Sequence, residues 1–314
     1  MDLVTVTCDR DLHQQVLQSH SLDKFLTDNC THWIVVEHTQ HPMSYWNDKL
    51  SKYYTRHKLN LIDGNINLID LNLPGYIRQQ IIKLAISQLI TSDDYLILDS
   101  KDVLLRTTSI DDWVTTEGSG VIYNPPIETT ELIKTMNGAL SNYLPFAKLI
   151  SALIKLPQPK WFWAPITPFR CKTKTSKQIL ETVDVNQLFN PNITGVEQVS
   201  EFILYRYFSD INTAFLEKGW IKPTNSYFLW AERTLDNDFS VMSNDRYKSV
   251  SFHRWYIVNN GSRIKLITDF LIHVIELDAE CVTNAFNITY WDNETLPERG
   301  WPIFEQSNVG FRNL

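Results

Sequence analysis

The sequence has little with which to staple itself together, and it lacks the usual signatures of phosphate-gripping or hydrolytic loops. Its four cysteines, Cys8, Cys30, Cys171 and Cys281, lie far apart and show no CxxC spacing. That excludes a disulfide framework and a cysteine zinc site, and points to free thiols in a reducing cytoplasm. No glycine-rich phosphate loop, GxSxG elbow or HExxH pair occurs, and no cysteine stands near a histidine in a catalytic spacing. No apolar run approaches the roughly 18 residues that span a bilayer. The opening Met1-Asp2-Leu3-Val4-Thr5-Val6-Thr7 is acidic and strand-like, not basic and then apolar, so no signal peptide is expected. Excess positive charge is also missing. A net charge of −7 and a pI near 5.6 argue against a nucleic-acid partner, because neutralising phosphates needs a basic surface. The basic run from Arg170 to Lys177 reads as a solvated helix start.

What is present is apolar and aromatic. Of 314 residues 43% are hydrophobic, enough for one large α/β domain or two small ones. Residues 3–7, 32–37, 65–70 and 95–99 read as strands, and residues 12–25 and 76–90 as helices. The second helix carries Ile77, Ile81, Leu84, Ala85 and Leu89 at helical spacing behind the turn Pro74-Gly75. Strands alternating with helices predict a doubly wound, mostly parallel sheet. Further on, strands are expected at 121–123 and 250–253, an extended aromatic stretch at 161–165, and helices at 141–156, 177–185, 197–208 and 264–277. The division expected is one continuous domain over residues 1–255 with a mainly helical extension over 256–314.

Ligands of doubly wound sheets sit beyond the carboxyl ends of the strands. Asp9, Glu37 and Asp99 each fall at or just past such an end. Asp99 and Asp102 make a carboxylate pair suited to a hard divalent cation, which takes oxygen ligands. Either acid could equally cap a turn. In "GYIRQQIIKL", Gln79 and Gln80 lie four and three residues before Lys83 and share its side of the helix. Such a lysine could neutralise a diphosphate or simply face solvent. Ser200-Glu201 opens a helix as N-cap and first-turn acid, or supplies a carboxylate for an acceptor. His253, at a strand end, could bind a metal or a phosphate, or be structural.

In this order, "GYIRQQIIKL", "LDSKDVLL", "SEFILYRY" and a strand ending in His253-Arg254 resemble a family of bacterial and phage proteins similar to the GT-A nucleotide-sugar glycosyltransferases. The resemblance covers roughly residues 3 to 255. It implies a GT-A-like, Rossmann-like three-layer α/β/α sandwich with a mostly parallel central sheet. It implies a hexosyltransferase-like enzyme that moves a sugar from a nucleoside diphosphate sugar to a hydroxyl acceptor, usually with Mn²⁺ or Mg²⁺. By the same resemblance Asp99 is the first acid of an acid-x-acid motif, with Asp102 and His253 as further metal ligands. Glu201 is the acid that orients or deprotonates the acceptor. Thr7 and Asp9 stand where the nucleotide is met, and Arg78, Lys83 and Lys101 offset the diphosphate charge. The sequence departs from the pattern at one place: Lys101 stands where the second acid usually does, and Asp102 is one position late. Two accounts are open. A loop brings Asp102 into the metal shell, or Lys101 itself supplies the positive charge. A non-catalytic nucleotide- or carbohydrate-binding protein on the same fold is the rival reading.

Overall fold

The computed structural model describes residues 1–38, 40–64, 73–113, 127–135, 139–158, 161–162, 167–209, 226–229, 247–252 and 261–287. Its strands are β1 (Asp2–Cys8), β2 (Thr31–Glu37), β3 (Lys58–Asp63), β4 (Asp94–Asp99), β5 (Asp102–Leu104), β6 (Ile127–Glu128), β7 (Trp161–Phe162), β8 (Phe169–Lys172), β9 (Ser226–Leu229) and β10 (Ser249–Phe252). Its helices are α1 (Leu12–Phe25), α2 (Met43–Leu50), α3 (Gly75–Ala85), α4 (Thr129–Thr135), α5 (Leu144–Ile154), α6 (Thr173–Thr182), α7 (Val185–Leu188), α8 (Pro191–Thr194), α9 (Glu201–Phe208), α10 (Gly261–His273) and α11 (Ala279–Ala285). Among the described residues, no helix is long and apolar enough to cross a membrane.

The central sheet runs β3-β2-β1-β4-β8, with β8 alone antiparallel. Strands β1, β2 and β4 are buried on both faces, which is why they read as near-continuous apolar runs. Val4, Val6, Val35, Tyr95 and Ile97 enter one core cluster with Ile77 and Ile81 of α3, Phe146 of α5, Ile179 of α6 and Tyr205 of α9. Leu3, Leu96 and Leu98 point to the opposite face, against Leu22 of α1. Ile34 and Val36 do the same, with Leu12 of α1 and Trp46 and Leu50 of α2. The result is three layers with a mixed, mostly parallel sheet in the middle. Crossovers run from β1 outward to β2 and β3, and then back past β1 to β4. Right-handed crossovers in opposite directions put their helices on opposite faces. The direction in which strands are added to the sheet therefore reverses between β1 and β4.

A second sheet, β5-β10-β9, stands against this layer stack. Val103, Val250 and Phe252 from it share a cluster with Leu17 of α1, Ile267 and Leu271 of α10, and Val282 of α11. Helix α1 is thus enclosed on several sides, and its polar residues are buried with partners. Ser21 Oγ accepts from Leu104 N at 3.0 Å, and Gln18 bonds Thr5, Gln15 and the Asp99 carbonyl.

Several elements differ from the sequence expectation. The strand expected at 65–70 lies outside the described residues, as do 121–123, 163–165 and His253. The third parallel strand is β3, at Lys58–Asp63, all of it at least partly exposed at the sheet edge. The expected basic helix start is divided, since Phe169–Lys172 is the antiparallel edge strand and the helix begins at Thr173.

Candidate active site

Side chains of β4 alternate, and Tyr95, Ile97 and Asp99 face α3. Tyr95 is fully buried, and its hydroxyl donates to the Lys83 carbonyl at 2.9 Å. The same strand face then meets the Lys83 side chain, whose Nζ lies 3.1 Å from Asp99 Oδ1. One residue of α3 is fixed by backbone and by charge to one strand. Lys83 Nζ is also 3.1 Å from Glu201 Oε1 and 5.3 Å from the centre of the Phe202 ring. Burial works against its charge, but the two carboxylates outweigh that and raise its pKa.

Asp99 has a second cation. Lys101 Nζ stands 3.1 Å from Asp99 Oδ2. Burial alone would raise the Asp99 pKa, yet Lys101 and Lys83 hold it well below the usual carboxylate range. The group is graded by depth: Glu201 and Lys83 are 1% and 8% exposed, while Lys101 and Asp99 reach 27% and 28%.

Asp102 faces the other way. Its Oδ2 accepts from the Asp99 amide at 2.8 Å, closing the turn between β4 and β5, and the residue is 4% exposed. Burial and the Asp99 charge push its pKa up. Beside it β10 pairs Ser251 with Asp102, and Phe252 N donates to the Lys101 carbonyl at 3.1 Å. The late strand and the acidic turn are therefore neighbours. His253, one residue further, lies outside the described residues.

The other expected residues take separate places. Glu37, at the end of β2, accepts from Arg78 Nε at 2.6 Å. Its pKa is raised by burial, with Arg78 opposing. Asp9 holds the loop after β2, accepting from Gln40 N at 2.6 Å and Trp46 Nε1 at 3.2 Å. The Thr7 hydroxyl is buried, and among the described residues it has no hydrogen-bond partner. Gln80 Oε1 accepts from Glu201 N at 3.2 Å, so α9 is capped from α3 and not by Ser200. Three polar residues of "RQQIIK" thus hold different elements: Arg78 the end of β2, Gln80 the start of α9, Lys83 the end of β4.

Two findings bear on the expected roles. Glu201 is 1% exposed and faces Lys83, and burial raises its pKa while Lys83 lowers it. For a divalent cation the described residues do not fit: no group of three His, Cys, Asp or Glu comes together among them, and each Asp99 oxygen already faces an ammonium. Three further residues adjoin the site without having stood out in sequence. Tyr76 and Tyr143 hydrogen-bond each other near Glu201. Gln18 supports the Asp99 carbonyl from beneath. A tyrosine opening a helix and a glutamine within one carry no local signal.

A family model for DUF6492, described as a family of unknown function, matches residues 6–267. No curated protein matches the sequence. Among solved structures, a glycosyltransferase of Streptococcus pneumoniae TIGR4, GlyE, is similar at 14% identity and TM-score 0.25, over 33% of this chain and 24% of its own. The bifunctional glycosyltransferase WbbM is similar at 11% identity and TM-score 0.45, over 94% of this chain and 51% of its own. A galactosyltransferase, LgtC, is similar at 11% identity and TM-score 0.44, over 95% and 98%. The chain thus spans about a quarter of the first and half of the second.

Proposed function

We propose that this chain, which belongs to the DUF6492 family, transfers a sugar from a nucleoside diphosphate sugar to an acceptor hydroxyl. The observation that carries the reading is the meeting of Asp99, Lys83 and Lys101 at the carboxyl end of β4, beside β1. The strand order reverses there, and open α/β sheets bind ligands at that crevice. Thr7 and Asp9 end the strand on its other side. Two fixed ammonium groups are the chemistry that a departing diphosphate needs, since they stabilise negative charge as it develops. The order of the sequence motifs, with Asp99 as the first acid, supports the same reading.

In this reading Lys101 and Lys83 bear on the diphosphate, and Asp99 sets where both ammonium groups stand. Glu201 is a positioning residue that keeps Lys83 charged and aimed. Arg78 holds the end of β2 through Glu37. Residues 1–255 form the transferase unit, with 256–314 as an extension. Mn²⁺ or Mg²⁺, expected from the resemblance, enters no step.

Binding without catalysis is the second reading, and the burial of Glu201 favours it. Incubating the chain with a panel of nucleoside diphosphate sugars, and following release of the nucleoside diphosphate, separates the two. Release that stops in Asp99→Asn supports transfer. Donor binding without release supports the binding protein, and absence of both overturns each.

A further inference from the structure

We infer that Lys101 takes the place of a divalent cation, so that the diphosphate binds without metal. The inference rests on the nucleotide-sugar reading above and deepens it. A Mg²⁺- or Mn²⁺-like ion needs carboxylate oxygens turned toward it. Here Asp99 Oδ1 faces Lys83 and Oδ2 faces Lys101, each at 3.1 Å. Asp102 is folded back onto the Asp99 amide at 2.8 Å. A metal at Asp99 would have to displace one ammonium and sit beside another.

Lys101 is also not an ordinary solvated lysine. Its carbonyl is held by Phe252 N at 3.1 Å, and its side chain lines a small recess with Leu17, Val103, Phe252 and Phe286. Such a stem packs its methylenes and leaves the charge outermost. An ammonium has three donors. Asp99 takes one, and the other two can meet phosphate oxygens at the 27% exposed end of the cluster. Lys83, at 8%, stands behind it and is already shared between two carboxylates.

Calorimetric titration of the full chain with UDP, GDP, CDP and ADP, in EDTA and in Mn²⁺, tests this. At least one nucleotide should bind with about the same Kd in both. Lys101→Ala should weaken that binding by about tenfold or more, the scale of one charge-assisted contact, and Lys101→Arg should retain most of it. Lys101→Asp, which restores the acid-x-acid spacing, should bind only with Mn²⁺. Urea denaturation identifies any variant that fails to fold. Wild-type binding that vanishes in EDTA and returns with Mn²⁺ overturns the inference and leaves the nucleotide reading standing. A folded Lys101→Ala that binds unchanged also overturns it. No binding in either condition overturns both.

Discussion

Lys83 joins β4 to α9: its Nζ is 3.1 Å from a carboxylate oxygen of Asp99 and 3.1 Å from one of Glu201. A single buried ammonium thus bridges a carboxylate at a strand end and another at a helix start. Removing one partner of a buried pair is costly because it leaves the other uncompensated. Lys83→Met leaves the buried Glu201 without this cation, while Asp99 keeps Lys101. We expect it to destabilise the fold by about 3–5 kcal/mol, read from urea denaturation. A loss below about 1 kcal/mol would mean that the pairs do not form in solution.

Glu201→Gln removes one of the two charges on Lys83 but keeps the shape. The expected cost is about 1–3 kcal/mol, with nucleotide affinity falling and Gln restoring more of it than Ala. If Glu201 were instead the base for the acceptor, transfer would fall by about 10²–10⁴-fold with stability and donor affinity unchanged. Urea melts and donor titrations on the same samples separate the outcomes.

Asp99→Asn keeps hydrogen-bonding capacity and removes the charge that gathers Lys83 and Lys101. Turnover of a nucleoside diphosphate sugar should fall by about 10²-fold or more, the scale of a lost electrostatic stabiliser, while the circular dichroism spectrum stays the same. An active Asp99→Asn protein would remove this carboxylate from the chemistry.

Gln80→Ala tests the cap that α3 provides to α9. Losing an N-terminal acceptor costs about 0.5–2 kcal/mol, whereas Ser200→Ala should cost less, because the Ser200 side chain makes no capping bond. Equal losses in both would assign the cap to Ser200.

His32 gives the protein an acid limit. Thr5 donates to Gln18, so its oxygen accepts from His32 Nε2, and Nδ1 accepts from the Tyr54 hydroxyl, at 2.9 and 2.7 Å. Such a ring is neutral, and burial lowers its pKa from 6.5 to about 3. The unfolded chain takes up the proton first. His32 therefore contributes its stability fully above pH 6.5, and that contribution is lost as the pH falls from 6.5 toward 3. The slope approaches about 1.4 kcal/mol per pH unit. Urea midpoints at several pH values should fall more steeply for wild type than for His32→Gln. Equal slopes would exclude His32 as the source.

Sequence made the inner sheet readable where residues are buried on both sides. Trp33-Ile34-Val35-Val36 and Tyr95-Leu96-Ile97-Leu98 announce themselves as apolar runs. The edge strands did not, since Lys58–Asp63 is half exposed and Phe169–Lys172 is short and basic. Asp99 was legible by its place at a strand end. The burial of Glu201 was not, because an acid in a first helical turn reads as an exposed dipole partner. Its cap and its cation both come from α3, a tertiary pairing that no local spacing encodes.

The pairing of β5 with β10 also has a consequence for how the molecule comes into being. Strands β1 to β4 are complete in the first third of the chain, and the core between them can start to close as it is synthesised. The turn carrying Lys101, closed locally by Asp102 and held to α1 through Leu104 N, still lacks one hold then, because Phe252 N, which grips the Lys101 carbonyl, has not yet been made. A nascent or C-terminally truncated chain would hold the acid and the lysine of the site without the bond from β10 to the Lys101 carbonyl. The pairing of β10 with β5 that completes this turn is then a late step, joining distant parts of the polypeptide.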